Sequence, residues 1–204
     1  MAYSEHPLQV LHNFLPKNCF DDIIFFLEKY KIHLTIKKDR ATVYGDYRPS
    51  RGKVPHRISI NAGLNEFHFL ITLLHEIAHL IVFEKHQHRI LPHGIEWKLC
   101  FSELLQNFNQ KNIFPQDVKQ ALDIYLKNPK ASTCSDPNLL TELKKFDLET
   151  SKIMVKDLEI GSQFTTSSGR KFLLKSKRRT RFECIDIENG KLYLFPAIYE
   201  VENY

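Results

Sequence analysis

The chain has 204 residues, of which 43% are hydrophobic and 26% charged, as is typical of a globular protein that buries its own apolar core. The formal net charge of +5 permits an anionic partner without requiring one. Four widely spaced cysteines without a C-x-x-C pair, and a start without a basic-then-apolar leader, predict a cytoplasmic protein with reduced thiols and exclude a secreted disulfide framework.

The first part of the chain is predicted to mix helices with a few strands, from hydrophobic spacing and turn residues. Helices are expected at about 20–30, 64–85, 93–109, 115–127 and 138–146, and strands at 32–37, 41–47 and 57–61. The most apolar stretch, 67–83, is too short to span a bilayer comfortably and has ionisable residues at its centre. This pattern favours a buried helix.

From residue 153 onward, short β-prone runs alternate with turns at Ser168-Gly169 and Asn189-Gly190. An Asn-Gly pair between two such runs is a strong signal for a β-hairpin. The strands are expected at 163–166, 171–174, 181–187, 192–195 and 198–201. We therefore predict an α+β domain at 1–128, a linker with a short helix at 129–150, and a small basic all-β domain at 151–204.

The sharpest motif is His75-Glu76-Ile77-Ala78-His79, an H-E-x-x-H sequence on the predicted buried helix. Residues four apart lie on the same helix face, so both imidazoles can bind one metal ion, while Glu76 is rotated about 100° and can reach a water on that metal. Zinc suits such a set when a third ligand and a water complete it. The alternative is a pair of core histidines satisfied by backbone carbonyls, but burying three ionisable groups without a metal is costly.

The third ligand is predicted to be His93, which opens the next helix and can point back across the intervening loop. Gly94 allows close backbone approach, and Trp97 lies one turn further to anchor the helix in the core. The competing candidates are His86 and His88 in the loop and Glu96 on the helix, since a glutamate from a following helix is the third ligand in some zinc peptidases.

These two segments, 73–79 and 93–98, resemble the SprT-like family of zinc metallopeptidases, which includes the Spartan proteases that digest DNA-protein crosslinks. That family has an H-E-x-x-H helix followed by a third histidine in an H-G-x-x-[aromatic] box, and the likeness covers about residues 10–110. It implies zinc bound by His75, His79 and His93, with Glu76 as the catalytic base. The implied fold is zincin-like, with a small mixed sheet whose edge strand can pair with an extended polypeptide substrate.

The predicted β domain contains a basic segment without any acidic residue between Thr165 and Phe182. Its seven basic residues are Arg170, Lys171, Lys175, Lys177, Arg178, Arg179 and Arg181. They are candidates for binding a nucleic-acid backbone, and the alternative is a solvated hairpin whose charges protect an edge strand. Many SprT-like proteins end in a four-cysteine zinc ribbon, but only Cys134 and Cys184 lie beyond the catalytic region, so we expect no zinc there.

The expected function is a cytoplasmic zinc endopeptidase, associated with the nucleoid if it binds DNA, that acts on DNA-associated proteins such as crosslinks. One alternative is a zinc peptidase that cleaves a specific regulator without DNA, and another is a nucleic-acid-binding module with structural zinc. Tyr44, Tyr47 and Arg48 are candidates for stabilising the tetrahedral oxyanion. The more natural roles of His56, Arg57 and His68 are structural.

Overall fold

The computed structural model describes residues 8–40, 43–87, 90–127, 129, 136–147 and 152–203. The chain divides into two compact units, Met1–Phe146 and Asp147–Tyr204. The first unit mixes helices with strands, and the described residues of the second form strands and one 3₁₀ turn at Val155–Asp157. The predicted α+β class with an all-β C-terminal unit is therefore confirmed.

The first unit has five α-helices after a 3₁₀ turn at Gln9–Asn13, counted over its described residues. They are α1 (Phe20–Lys29), α2 (Glu66–His86), α3 (Ile95–Gln110), α4 (Gln116–Tyr125) and α5 (Pro137–Lys144). All five were expected from the sequence, with bounds that differ by a few residues.

Three strands of the first unit form a small mixed sheet: β1 (His33–Lys37), β2 (Gly45–Arg48) and β3 (Arg57–Asn61). Their order is β1-β3-β2, with β1 parallel to β3 and β2 antiparallel to it. The second predicted strand is shorter than 41–47 because its described pairing begins at Gly45, and residues 41 and 42 lie outside the described residues. An outer strand of this sheet, β2, packs against α2.

Helix α2 is the core of the first unit, and β2, β3 and α3 all pack on it. The side chain of Asn65 caps its N-terminus by accepting the main-chain N–H of His68 at 3.0 Å, and donates to the carbonyl of Leu143 at 2.8 Å. By length and composition α2 is apolar enough to cross a membrane, but 78% of its most apolar stretch is buried inside the protein. Together these contacts identify α2 as a core helix.

Helix α5 contributes to the same core, because Leu139 and Leu143 are fully buried in the cluster that includes Trp97. The sequence-based linker at 129–150 included this helix, whereas the structure groups it with the first unit through its packing on α4. Residues 130–135, Cys134 included, and 148–150 of that predicted linker lie outside the described residues.

The second unit is a six-stranded antiparallel sheet in the order β4-β9-β5-β6-β7-β8. Its strands are β4 (Lys152–Met154), β5 (Gln163–Thr165), β6 (Lys171–Lys177), β7 (Arg181–Asp186), β8 (Leu192–Pro196) and β9 (Glu200–Asn203). Strands β7 and β8 form the expected hairpin, in which Gly190 adopts a φ of 69° that glycine tolerates without strain. One face of the sheet packs around four phenylalanines, at positions 164, 172, 182 and 195.

Candidate metal centre

Two imidazole rings from α2 and one from the turn before α3 converge at one point. The Nε2 atom of His93 lies 2.9 Å from Nε2 of His79 and 3.2 Å from Nε2 of His75. His75 is buried and the other two are half-buried, and one ligand nitrogen from each lies within 4.8 Å of the others. The three histidines that the sequence analysis selected are therefore brought together at one point.

The spacing of these nitrogens fits a tetrahedral metal ion. Zinc–nitrogen bonds of about 2.0–2.1 Å in tetrahedral geometry separate two ligand nitrogens by roughly 3.3 Å, close to the separations from His93. Hydrogen bonding alone is a poor account of the cluster, because a ring nitrogen carries either one hydrogen or one lone pair and Nε2 of His93 has two close neighbours. Three imidazole nitrogens at this spacing form a donor set that could hold a metal ion.

The electrostatic setting keeps the three rings neutral, which is the form that binds a metal. Burial, reinforced by its histidine neighbours, lowers the pKa of His75 to about 3. Burial and the nearby His93 lower the pKa of His79 to about 4, and burial also lowers the pKa of His93. Few protons therefore compete with a metal for these nitrogens near neutral pH.

His93 reaches the centre from a strained backbone conformation just before α3. Its φ is 59°, in the left-handed region that a residue with a Cβ enters at a cost of about 1–3 kcal/mol. Gly94 follows as the N-terminal cap of α3, and its N–H donates to the carbonyl of Leu91 at 3.0 Å. This tight turn directs the imidazole back toward α2.

Trp97 packs against all three histidine rings from the first turn of α3. The distances between ring centroids are 4.6 Å to His75, 5.3 Å to His79 and 4.7 Å to His93, and the indole also stacks on Phe101 at 4.9 Å. Trp97 is only 1% exposed. Trp97 is thus a core anchor, as its place in the sequence predicts, and it also forms one wall of the centre.

Glu76 lies beside the histidines on the side facing the sheet and is 7% exposed. Burial raises the pKa of its carboxyl to about 8, with a further increase from the charge of Asp46. The positive charge of Arg40 and a hydrogen bond from the main-chain N–H of Tyr47 oppose this increase in the pKa. Glu76 is thus a buried carboxyl held against strand β2.

The side chains considered for oxyanion stabilisation have other partners in the structure. The hydroxyl of Tyr47 lies 2.9 Å from Nδ1 of His56, whose Nε2 is 3.2 Å from Oε1 of Glu84. Arg48 donates from Nε to Asp46 at 2.9 Å, and the ring of Tyr44 packs against the buried His68 at 4.8 Å. The contact with His56 gives Tyr47 a role in holding β2, whereas the pair of Arg48 with Asp46 lies within β2 itself.

The other candidates for the third metal ligand were Glu96, His86 and His88. Among the residues that the structure describes, neither Glu96 nor His86 belongs to the cluster of metal-binding side chains. A carboxylate oxygen of Glu96 instead lies close to Gly94, 3.2 Å from where a Cβ would stand. His88 lies outside the described residues.

The basic segment of the second unit begins at Arg170, just before β6, and continues along β6, through the following turn and onto the first residue of β7. Arg170 is engaged in the fold: its guanidinium bonds to the carboxylate of Asp186, which is 1% exposed, and lies over the rings of Phe172 and Tyr193. Arg178 pairs with Glu183 at 3.0 Å. Six of the seven predicted residues are exposed, namely Lys171, Lys175, Lys177, Arg178, Arg179 and Arg181.

Comparison with known proteins gives one match. A sequence profile of the SprT-like family matches residues 9–119, which is more than half of the chain and includes every residue of the metal centre. No curated protein and no solved structure is significantly similar to the chain. On this match, together with the three-histidine centre and the adjacent glutamate, the chain belongs to the SprT-like family and carries a domain of the metallopeptidase type.

Proposed function

We propose that the protein is a zinc-dependent endopeptidase with a zincin-like catalytic unit that acts in the cytoplasm on DNA-associated proteins. In this proposal His75, His79 and His93 hold the metal and Glu76 is the general base. The observation that carries it is the convergence of three neutral imidazoles beside a buried carboxyl in a SprT-like domain. A structural zinc site gains nothing from such a carboxyl, which disfavours a purely nucleic-acid-binding module.

The chemistry divides between the metal and the chain. Zinc, when bound, supplies Lewis acidity that activates water and polarises the peptide carbonyl. Glu76 accepts the proton of the attacking water and passes it to the amine that leaves. A pKa raised toward neutrality by burial suits both transfers, because a base whose pKa lies near the working pH can take up and return the proton. The hydrogen bond from the main-chain N–H of Tyr47 helps to fix the orientation of the Glu76 carboxylate.

The decisive experiment compares wild type with Glu76→Gln. Glutamine keeps the size of the side chain but accepts no proton, so we expect one equivalent of zinc in both proteins and a cleavage rate at least about 100-fold lower in the variant. Zinc is measured by mass spectrometry, and cleavage is followed with an unfolded polypeptide and by self-cleavage. A variant that holds zinc and cleaves as fast as wild type would contradict the proposal.

Glu96→Gln is the matched control, since Glu96 is a nearby glutamate on α3 outside the cluster of metal-binding side chains. It should keep both zinc and activity. Loss of zinc in this variant would make Glu96 a ligand. His93→Ala should lose zinc, whereas His86→Ala should retain it.

The DNA component of the proposal rests on the exposed basic residues of the second unit. Arg179 and Arg181 lie at the β6–β7 turn, and the bulged Lys175 precedes them on β6. Arg178 pairs with Glu183, and the charge of Lys175 also acts on that carboxylate, whereas Arg179 and Arg181 form no ion pair within 4.0 Å among the described residues. Exposed cations of this kind can contact several phosphates.

Replacing Lys175, Arg179 and Arg181 together by glutamine tests this component. If each contacts one phosphate of single-stranded DNA, the slope of log affinity against log salt should fall by about 2. Lys191→Gln, an exposed lysine elsewhere in the same unit, is the control. Comparing cleavage with and without single-stranded DNA then separates a DNA-dependent protease from a peptidase specific for one regulator. Only the DNA-dependent protease needs the DNA for full activity.

A further inference from the structure

Strand β2 lies unusually close to the general base at Gly45. A Cβ placed on Gly45 would lie 2.6 Å from Oε1 and 2.9 Å from Cγ of Glu76, and 2.8 Å from Cγ2 of Thr72. Non-bonded carbon atoms normally approach to about 3.5 Å. The absent side chain therefore provides the space in which the Glu76 side chain lies.

The orientation of the strand explains this contact. The carbonyl of Tyr44 accepts the N–H of Asn61 on β3 at 2.9 Å, so the alternation along β2 turns the backbone groups of residues 45 and 47 away from β3. The N–H of Tyr47 accordingly donates to the carboxylate of Glu76. Gly45, two residues earlier on β2, lies on the same edge and is also close to the Glu76 side chain.

A methyl group at position 45 would displace Glu76 in preference to Thr72. Thr72 is β-branched, 4% exposed and fixed within α2, so its side chain has little freedom to move. Glu76 has three rotatable side-chain bonds and can swing its carboxylate aside. The φ of Gly45 is not in the left-handed region, so the backbone itself accepts alanine without strain.

We propose that Gly45 is a positioning residue: its lack of a side chain fixes where the carboxylate of Glu76 lies relative to the metal centre. This inference rests on the proposed peptidase function. It adds the requirement that position 45 of β2 have no side chain, which follows from neither the H-E-x-x-H motif nor the third histidine. In this role Gly45 acts through Glu76.

Gly45→Ala is the test, and Gly63→Ala is the matched control. The Cβ of an alanine at 63 would meet the carboxylate of Asp39, outside the metal centre, and Gly63 likewise has an ordinary φ. We expect Gly45→Ala to keep one equivalent of zinc and a KM within about twofold of wild type, while kcat falls about 10- to 100-fold, as for displacements of about 1 Å at a catalytic group. Gly63→Ala should keep kcat.

Two further measurements separate this inference from the proposed function. A crystal structure of Gly45→Ala should show the Glu76 carboxylate displaced by about 1 Å or more, whether or not the wild type cleaves proteins. In a Glu76→Ala background, which removes the obstructing atoms, Gly45→Ala should lower the melting temperature less than it does in the wild type. An undisplaced carboxylate, an unchanged kcat in an active protein, or an equal loss of stability in both backgrounds would overturn the inference.

Discussion

The indole of Trp97 lies 4.7 Å from the imidazole of His93, with the two rings nearly perpendicular at 82°. The same indole contacts His75 and His79, so one aromatic side chain from α3 touches every proposed ligand. Trp97 is also the only tryptophan in the chain. Its fluorescence therefore reports on the metal centre alone.

Titration of the metal-free protein with Co²⁺ should quench this fluorescence strongly, because a paramagnetic ion held by the three histidines lies within a few ångströms of the indole. We expect saturation at one equivalent and reversal by excess zinc. His93→Ala should lose the tight quenching, and His86→Ala should keep it. Quenching that persists unchanged in His93→Ala would show that the metal is bound without this ring.

Trp97→Phe should weaken both the fold and the metal site. The smaller ring leaves a cavity against the histidines, which costs about 2 kcal/mol of unfolding free energy even though it removes a buried Nε1 with no hydrogen-bond partner among the described residues. Loosened ligand rings should reduce zinc affinity by about 10- to 100-fold. Urea unfolding and competition with a zinc chelator measure the two effects, and wild-type zinc affinity would argue that α2 and the turn at His93 hold the ligands without the indole.

Part of the metal centre follows from the sequence because it is local. His75 and His79 lie one helical turn apart, so predicting a buried helix is enough to place both imidazoles on one face. His93 is predicted from its place at the start of the next helix and is also implied by the resemblance, but its strained φ depends on the turn at Leu91–Gly94, which hydrophobic periodicity does not predict. The close approach of Gly45 to Glu76 brings together residues from a strand and a helix, and requires knowing which edge of β2 faces α2.

The second unit shows a similar division. The Asn-Gly hairpin and most strands follow from alternation and turn residues, whereas β4 was missed because its three residues are too few to show a pattern. The basic segment was read as one group of seven cations, yet Arg170 is bound to Asp186 across β6 and β7. A charge count along the chain does not distinguish a cation that binds a buried carboxylate from one that faces solvent.

Arg170→Ala is accordingly predicted to affect stability. It would leave the carboxylate of Asp186 buried without its cation and remove the contacts with Phe172 and Tyr193, so the melting temperature of the second unit should fall by several degrees. Arg179→Ala, which removes an exposed cation of the same segment, should leave that temperature nearly unchanged. Thermal unfolding followed by circular dichroism checks both variants. An equal effect of the two would contradict a structural role for Arg170.

The buried His68 predicts how stability depends on pH. Burial, with a smaller contribution from Lys144, lowers the pKa of His68 from 6.5 to about 4, so between these values the unfolded chain binds a proton that the folded protein does not. Stability should therefore fall as the pH drops from about 6.5 toward 4, by about 2 kcal/mol from this group at pH 4.5. His68→Asn, which does not titrate there, should lose less stability over the same interval. The measurement is urea unfolding of both proteins at pH 7 and pH 4.5 without metal, because the histidines of the metal centre then contribute equally and cancel in the difference. A parallel loss in the two proteins would show that His68 does not contribute to acid destabilisation.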